Sequence, residues 1–181
     1  MSTKKLSSKT IYGKSSWRLE LDSWELENGR IFEKPVVRHP GSVVLVPLRE
    51  TERGPEIIML KQFRHVLNQV IFELPAGTQD WGEDPLACAK RELREETGYQ
   101  AENFVHLGDC WPGPGSSDEL MAIYLATNLT HNPLPADEDE EIEIAPILFS
   151  DLYAQAKSGQ IQDAKTIVSV WKTAVYLGKE S

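Results

Sequence analysis

The sequence predicts an α/β (α+β) layered domain with a mixed sheet, preceded by a small N-terminal antiparallel sheet. Three observations predict it. Residues 42–48 form a continuous, valine-rich apolar run, too short for a typical helix and suited to a buried strand. Residues 17–21 alternate apolar and polar before the turn signal Glu27-Asn28-Gly29, as one arm of a hairpin does. Residues 84–98 carry helix punctuation at both ends, with Asp84-Pro85 as the start and Gly98 as the stop. Mixed strands with helices on their faces make a layered domain.

Taken in order, residues 1–14 are polar and are expected to be mobile. Residues 30–38 return as the partner of the first strand, and Pro40-Gly41 breaks the chain. The boundary falls there, giving an N-terminal element of residues 1–40 and a main domain of residues 41–181. After the run at 42–48, residues 51–55 turn and residues 56–64 and 70–74 give two further strands. Beyond the helix, strands at 104–111 and 120–129 are separated by Pro112-Gly113-Pro114-Gly115. Residues 150–158 and 163–177 have helical character, with Ser150 and Asp163 as caps. The acidic run 137–143 reads as a solvated loop.

Composition excludes several classes of function. The 181 residues carry a net charge of −9, and Lys4-Lys5 is the longest basic run, so a nucleic-acid backbone is not an expected partner. The two cysteines, Cys88 and Cys110, make no disulfide framework, and Cys88 reads as a small buried hydrophobe. The first residues lack the apolar core of a signal peptide, and no apolar run approaches ~18 residues. The expectation is a cytoplasmic protein without a membrane partner.

The chemistry is concentrated in residues 77–99. Between its caps the helix places Leu86, Ala89 and Leu93 on one apolar stripe. Glu92, Glu95 and Glu96 stand at i, i+3 and i+4 and project from one surface. Such a surface is either a solvated face or a ligand site. Arg91 pairs with Glu95 at i,i+4 on the first reading. Glu92 and Glu96 are instead a like-charge i,i+4 pair, costing roughly 0.2–0.5 kcal/mol in an isolated helix. A hard divalent cation turns that repulsion into attraction, and Mg²⁺ typically takes one or two carboxylates together with substrate phosphates.

Gly77, Glu83, then Arg91-Glu92-Leu93-x-Glu95-Glu96-x-Gly98-Tyr99 fill every fixed position of the Nudix box, and the chain resembles the Nudix hydrolases. Segments outside the box narrow the resemblance. Lys61-Gln-Phe-Arg-His65, Phe72-Glu-Leu-Pro-Ala-Gly77, Pro114 fifteen residues after Tyr99, the loop Pro114-Gly-Ser-Ser-Asp-Glu119 and Gly159–Thr166 are similar to the ADP-ribose pyrophosphatase branch. The similarity runs from about Trp17 onward. It implies the Nudix fold, an α/β/α sandwich.

The resemblance also implies roles. Glu92 and Glu96 are expected Mg²⁺ ligands, with Mn²⁺ a possible substitute and Glu95 a third or water-mediated ligand. The Ala76 carbonyl completes the coordination, and Gly77 admits the backbone to the ion without a Cβ. Arg91 orients a carboxylate, through Glu95 along the helix or Glu83 across the turn; its plain alternative is a surface ion pair. Glu119 is the expected general base or water-positioning group, with Glu95 as the other choice and a solvated loop acid as the bland one. Arg64 is expected on a phosphate or terminal ribose, or else in a structural salt bridge. Glu73 is assigned to the terminal sugar or the support of the metal shell.

Trp17 and Phe32 correspond to the base-stacking aromatics of dimeric branch members, whose subunits exchange N-terminal strands; the other reading is core or plain interface. Trp24 is a weaker candidate, and Trp81 lies in the turn near the metal site. The implied protein is a homodimer that hydrolyses the diphosphate of nucleoside diphosphate sugars, ADP-ribose first and GDP-mannose, GDP-glucose or another nucleotide sugar next. The alternatives are a nucleoside triphosphate pyrophosphohydrolase and a non-catalytic module that senses a nucleotide sugar.

Overall fold

The computed structural model describes residues 3–13, 16–135 and 141–179. Ten strands and three helices are formed among them, in two sheets. The first sheet joins β1 (Thr3–Gly13), β2 (Arg18–Leu26) and β3 (Ile31–Arg38) in that order, antiparallel throughout. The expectation of a mobile start is corrected over residues 3–13, which pair with β2 from Thr3↔Leu26 to Gly13↔Arg18. Every residue of β1 is exposed, and its apolar residues Leu6, Ile11 and Tyr12 do not alternate with polar ones at period 2, so no such pattern betrays a strand. Backbone hydrogen bonding to β2 supplies what side-chain pattern does not.

The second sheet runs β10 (Ile142–Leu148), β5 (Gly54–Arg64), β4 (Ser42–Thr51), β9 (Met121–His131) and β8 (Tyr99–Cys110), with β6 (Gln69–Glu73) added to β5 and β7 (Ala76–Thr78) to β4. The pairing of β4 with β9 is parallel and the others are antiparallel, which makes the sheet mixed. Helix α1 (Pro85–Thr97) covers one face and α2 (Phe149–Ser158) with α3 (Ala164–Leu177) covers the other.

The valine-rich run on β4 serves both layers at once. Val43 and Leu45 pack with Cys88, Ala89 and Leu93 of α1, while Val44, Val46 and Leu48 pack with Phe149, Leu152, Val170 and Ala174 of α2 and α3. A strand covered on both faces reads as an unbroken apolar run because the period-2 alternation divides two apolar environments. Leu86 of the predicted stripe is half-buried rather than buried.

The helix ends follow their local chemistry. Asp84 caps α1 by accepting the Ala87 N–H at 3.0 Å, and Gly98 closes it in the left-handed conformation at φ 72°. Asp163 caps α3 through the Thr166 N–H. Ser150 does not cap α2: that helix starts at Phe149 after Leu148, with no side-chain cap bond, and Ser150 lies inside its first turn. Phe149, whose ring belongs to the core, is the first helical residue. Within the acidic run 137–143, residues 137–140 lie outside the described residues, whereas Ile142 and Glu143 open β10 and correct the loop expectation there. Paired at Ile142↔Gln62 and Glu143↔Lys61, they form an edge whose Glu143 bonds Lys61 at 2.8 Å. None of the described helices is long and apolar enough to cross a membrane.

Candidate active site

Two turns bring the acidic helix against a strand. The β7 segment pairs with the start of β4, Ser42↔Thr78 through Val44↔Ala76, and α1 then folds back over it. The Glu92 carboxylate comes to rest against Gly77. A Cβ at that position would meet Glu92 Cδ at 1.9 Å and its oxygens at 2.1 and 2.3 Å, so only glycine admits the carboxylate. Next to it, Glu96 accepts the Ala76 N–H at 2.8 Å. Both glutamates are buried. Glycine thus serves the site by admitting a side chain to the backbone.

Arg91 holds the carboxylates together. Its guanidinium donates to Glu92 Oε1 at 2.6 Å and Glu95 Oε2 at 2.8 Å, and reaches Glu83 at 3.2–3.3 Å and the Thr78 carbonyl at 3.3 Å. The two expected partners, Glu95 and Glu83, are both bound, and Glu92 is a third. Burial would lower the Arg91 pKa, but the bonds to Glu83, Glu92 and Glu95 hold it above its ordinary value and protonated. For Glu83, burial raises the carboxyl, while Arg91 and the Asp80 N–H outweigh it and leave it below the ordinary range. Cys88 is the opposite case: burial, helped by the Glu92 charge, pushes its thiol well up, so it remains neutral and unreactive.

These residues fit the divalent cation that the resemblance implies. The donors are hard carboxylate oxygens, two of them buried beside an open glycine backbone, with an arginine balancing their charge. Among the described residues no three acidic, histidine or cysteine side chains converge into a ready cage. Arg91 occupies the ground between the carboxylates. An ion that keeps waters and shares substrate phosphates does not require a closed protein cage.

Glu119 ends the loop between β8 and β9. The parallel register Ser42↔Met121 sets it beside the beginning of β4, where the Ser42 hydroxyl donates to its carboxylate at 2.7 Å. Its own N–H is bound by Ser117 Oγ at 3.1 Å. Ser42 thus pairs with β7 on one side and holds Glu119 on the other. Sequence reasoning missed Ser42, whose local signal is slight: a lone hydroxyl opening an apolar run.

Arg64 and Glu73 are brought to each other. The guanidinium forms a bidentate pair with the fully buried Glu73, at 2.7 and 2.8 Å. Lys165, at the start of α3, binds the same carboxylate and also Asp163 at 3.1 Å. The separation of 92 positions from Glu73 to Lys165 explains why sequence spacing does not reveal the partner.

The remaining candidates divide. Phe32 lines a cavity of about 370 Å³ between the N-terminal sheet and the 114–118 segment, with Trp24, Lys34, Val36 and Arg38 along one wall. Trp24 and Phe32 are cross-strand partners on one face. Trp17 is not among the lining residues of this chain; it packs on Tyr12 with ring centroids 5.6 Å apart. Trp81 lies beneath Arg18, whose guanidinium carbon is 4.5 Å from the ring centroid.

Comparison with known proteins agrees with this architecture. The NUDIX domain model matches residues 38–168. The chain is 34% identical over 169 residues to a methanol dehydrogenase activator of Bacillus methanolicus, covering 92% of this chain and 90% of that one. It is 36% identical over 154 residues to an ADP-ribose pyrophosphatase of Bacillus subtilis (strain 168), covering 84% and 82%. The fold superposes on the crystal structure of an ADP compounds hydrolase with a TM-score of 0.83 at 18% identity, over 100% of this chain and 97% of that one. A complete box on a helix folded over β7, together with these matches, makes the chain a member of the Nudix family, a pyrophosphatase of its ADP-ribose pyrophosphatase branch.

Proposed function

We propose that the protein hydrolyses the diphosphate of nucleoside diphosphate sugars in the presence of Mg²⁺, with ADP-ribose the first choice and GDP-mannose or GDP-glucose next. One observation carries the reading: buried Glu92 and Glu96 lie against the backbone of β7 while Glu119 is tethered to Ser42 on the adjoining strand. Mg²⁺, when bound, neutralises the diphosphate and lowers the pKa of a bound water. Glu92 and Glu96 are the residues to hold it, with Glu95 and the Ala76 carbonyl beside them; Mn²⁺ is a substitute of the same donor preference.

Glu119 takes the proton from the attacking water, or orients that water, as it adds to one phosphorus. The P–O bond to the other phosphate breaks, giving a nucleoside monophosphate and a sugar phosphate. Arg91 keeps Glu92 and Glu95 aligned through its bonds to both. Trp24 and Phe32 supply aromatic faces for the base, and stacking is tolerant of base identity. Arg64 is held by the buried Glu73, so the arginine meets the terminal sugar as a preorganised group and Glu73 acts through it.

The assembly is a homodimer with exchanged N-terminal strands. β1 is exposed along its whole length, and Leu6, Ile11, Tyr12 and Ile31 are 42–60% exposed, an apolar surface suited to a second copy. In that dimer Trp17 reaches the partner's base site. A cytoplasmic setting fits a nucleotide substrate. The sensor reading draws on the relative named for activating another enzyme; intact box carboxylates favour turnover.

The test is a hydrolysis panel with Mg²⁺: ADP-ribose, ADP-glucose, GDP-mannose, GDP-glucose, UDP-glucose and two nucleoside triphosphates, ranked by kcat/KM. Nucleotide sugars leading, with activity lost in chelator and in Glu119→Gln, is the expected result. Triphosphates leading would overturn the substrate class, and ligand returned intact would favour the sensor.

A further inference from the structure

Arg38 stands where the base cavity meets the loop that ends in Glu119. Arg38 lines the cavity with Trp24 and Phe32, and its guanidinium binds three carboxylates: Glu20 at 3.1 Å, buried Asp22, and Asp118 at 3.0 Å. The other Asp118 oxygen accepts the His39 N–H at 2.9 Å. Backbone bonds extend this junction. The Val37 N–H donates to the Ser116 carbonyl at 2.8 Å, and the Asp118 N–H donates to the Val37 carbonyl at 3.2 Å. The end of β3 therefore binds residues 116–118, and Glu119 is the next residue in the chain.

We propose that Arg38, through Asp118, is a positioning residue that converts filling of the base cavity into correct placement of Glu119. The proposal rests on the reading of Glu119 and of the Trp24/Phe32 cavity given above. The physical cause is screening. The Arg38 side chain is 22% exposed and that of Asp118 44%, so water weakens their pair when the cavity is open. A base stacked on Trp24 and Phe32 displaces that water and strengthens the pair in its lower-dielectric surroundings. The 116–118 segment is then held more tightly, and Glu119 with it. Binding energy from a remote part of the substrate is realised in turnover, the signature of differential rather than uniform binding.

The experiment compares kcat for ADP-ribose and for its analogue carrying hydrogen in place of the base, in the wild type, Asp118→Asn, Arg38→Met and Arg38→Lys. The wild type should turn over the complete substrate about tenfold faster at saturation, and this ratio should fall to about one in Asp118→Asn and Arg38→Met. Arg38→Lys should recover part of it, because an ammonium can still pair with Asp118 but lacks the planar fork. Near-UV circular dichroism checks folding; Asp118→Asn leaves the Arg38–Asp22 pair in place should Arg38→Met unfold. A ratio near one in the wild type overturns the proposal, as does a ratio kept in Asp118→Asn while both rates fall together. Changes confined to KM would make Arg38 a cavity wall and also overturn it. Failure of the wild type to cleave either compound would instead strike the nucleotide-sugar reading, and the proposal with it.

Discussion

The box helix and the N-terminal sheet are built on opposite principles. In the first, buried carboxylates are tied to the backbone and to one arginine within a contiguous segment of a single chain. In the second, an exposed strand edges a sheet whose bonded junction with the rest of the chain is mostly polar, through Arg38, Val37 and Arg18. The proposed metal-holding carboxylates are local and preorganised, whereas the proposed base-binding residues and Glu119 come from distant segments and, in the proposed dimer, from two chains. Site groups locked by surrounding packing hold geometry; groups on loosely attached elements are free to respond to what they bind.

The sharpest break of that contrast is Glu96→Gln. Turnover should drop roughly 10²–10³-fold while the melting temperature stays near that of the wild type, as for the loss of a charged group acting in the transition state. Near-normal kcat would show that the helix is merely an acidic surface. Gly77→Ala tests the local packing behind it. The new methyl would occupy the position of the Glu92 carboxylate, so activity should fall about 100-fold with a measurable loss of stability. Unchanged kinetics would mean that Glu92 works elsewhere.

Effects in the N-terminal sheet should be milder. Trp24→Ala should raise KM about tenfold, in line with roughly 1–3 kcal/mol for a base stacked on an aromatic ring, with Trp17→Ala following only in an exchanged dimer. Light scattering together with KM distinguishes these two cases. The smallest effect is acid sensitivity. Burial of Asp22 raises its carboxyl, but Ser8, Lys5 and Arg38 outweigh that and bring it to about 2, against an ordinary 3.8. A depressed carboxyl stabilises the folded sheet above its unfolded value, and the contribution fades as pH falls from about 4 towards 2. Tryptophan fluorescence of the wild type should show this acid transition, and Asp22→Asn, already lacking the charge, should show a smaller one.

The same contrast explains what could be read in advance. The box helix was legible because its caps, apolar stripe and glutamates are all fixed by spacings within 23 residues. The β4 run was legible because two covered faces leave no polar alternation. β1 was missed because its pairing rests on backbone bonds rather than on side-chain pattern. Lys165 and Ser42 escaped because they meet their carboxylates across 92 and 77 residues, where no local rule applies. Asp118 carries no local signal of its own in the loop before Glu119; its bond to Arg38 spans 80 residues. Long-range polar partners are set by topology, and topology is what a single sequence reveals least.

The first residues of β4 also set the gauge of the molecule. Ser42, Val43 and Val44 are paired on one side with the strand that opens the box and on the other with the strand that follows Glu119. Neighbouring strands are held about 4.8 Å apart, so the two flanks are separated by about 10 Å whatever the outer helices do. The opening of the proposed diphosphate site is thereby a property of hydrogen-bonded backbone rather than of loop length. Residues inserted into the turn at 79–83 or at the tip of the 112–115 loop would lengthen the rims and leave the jaw width unaltered.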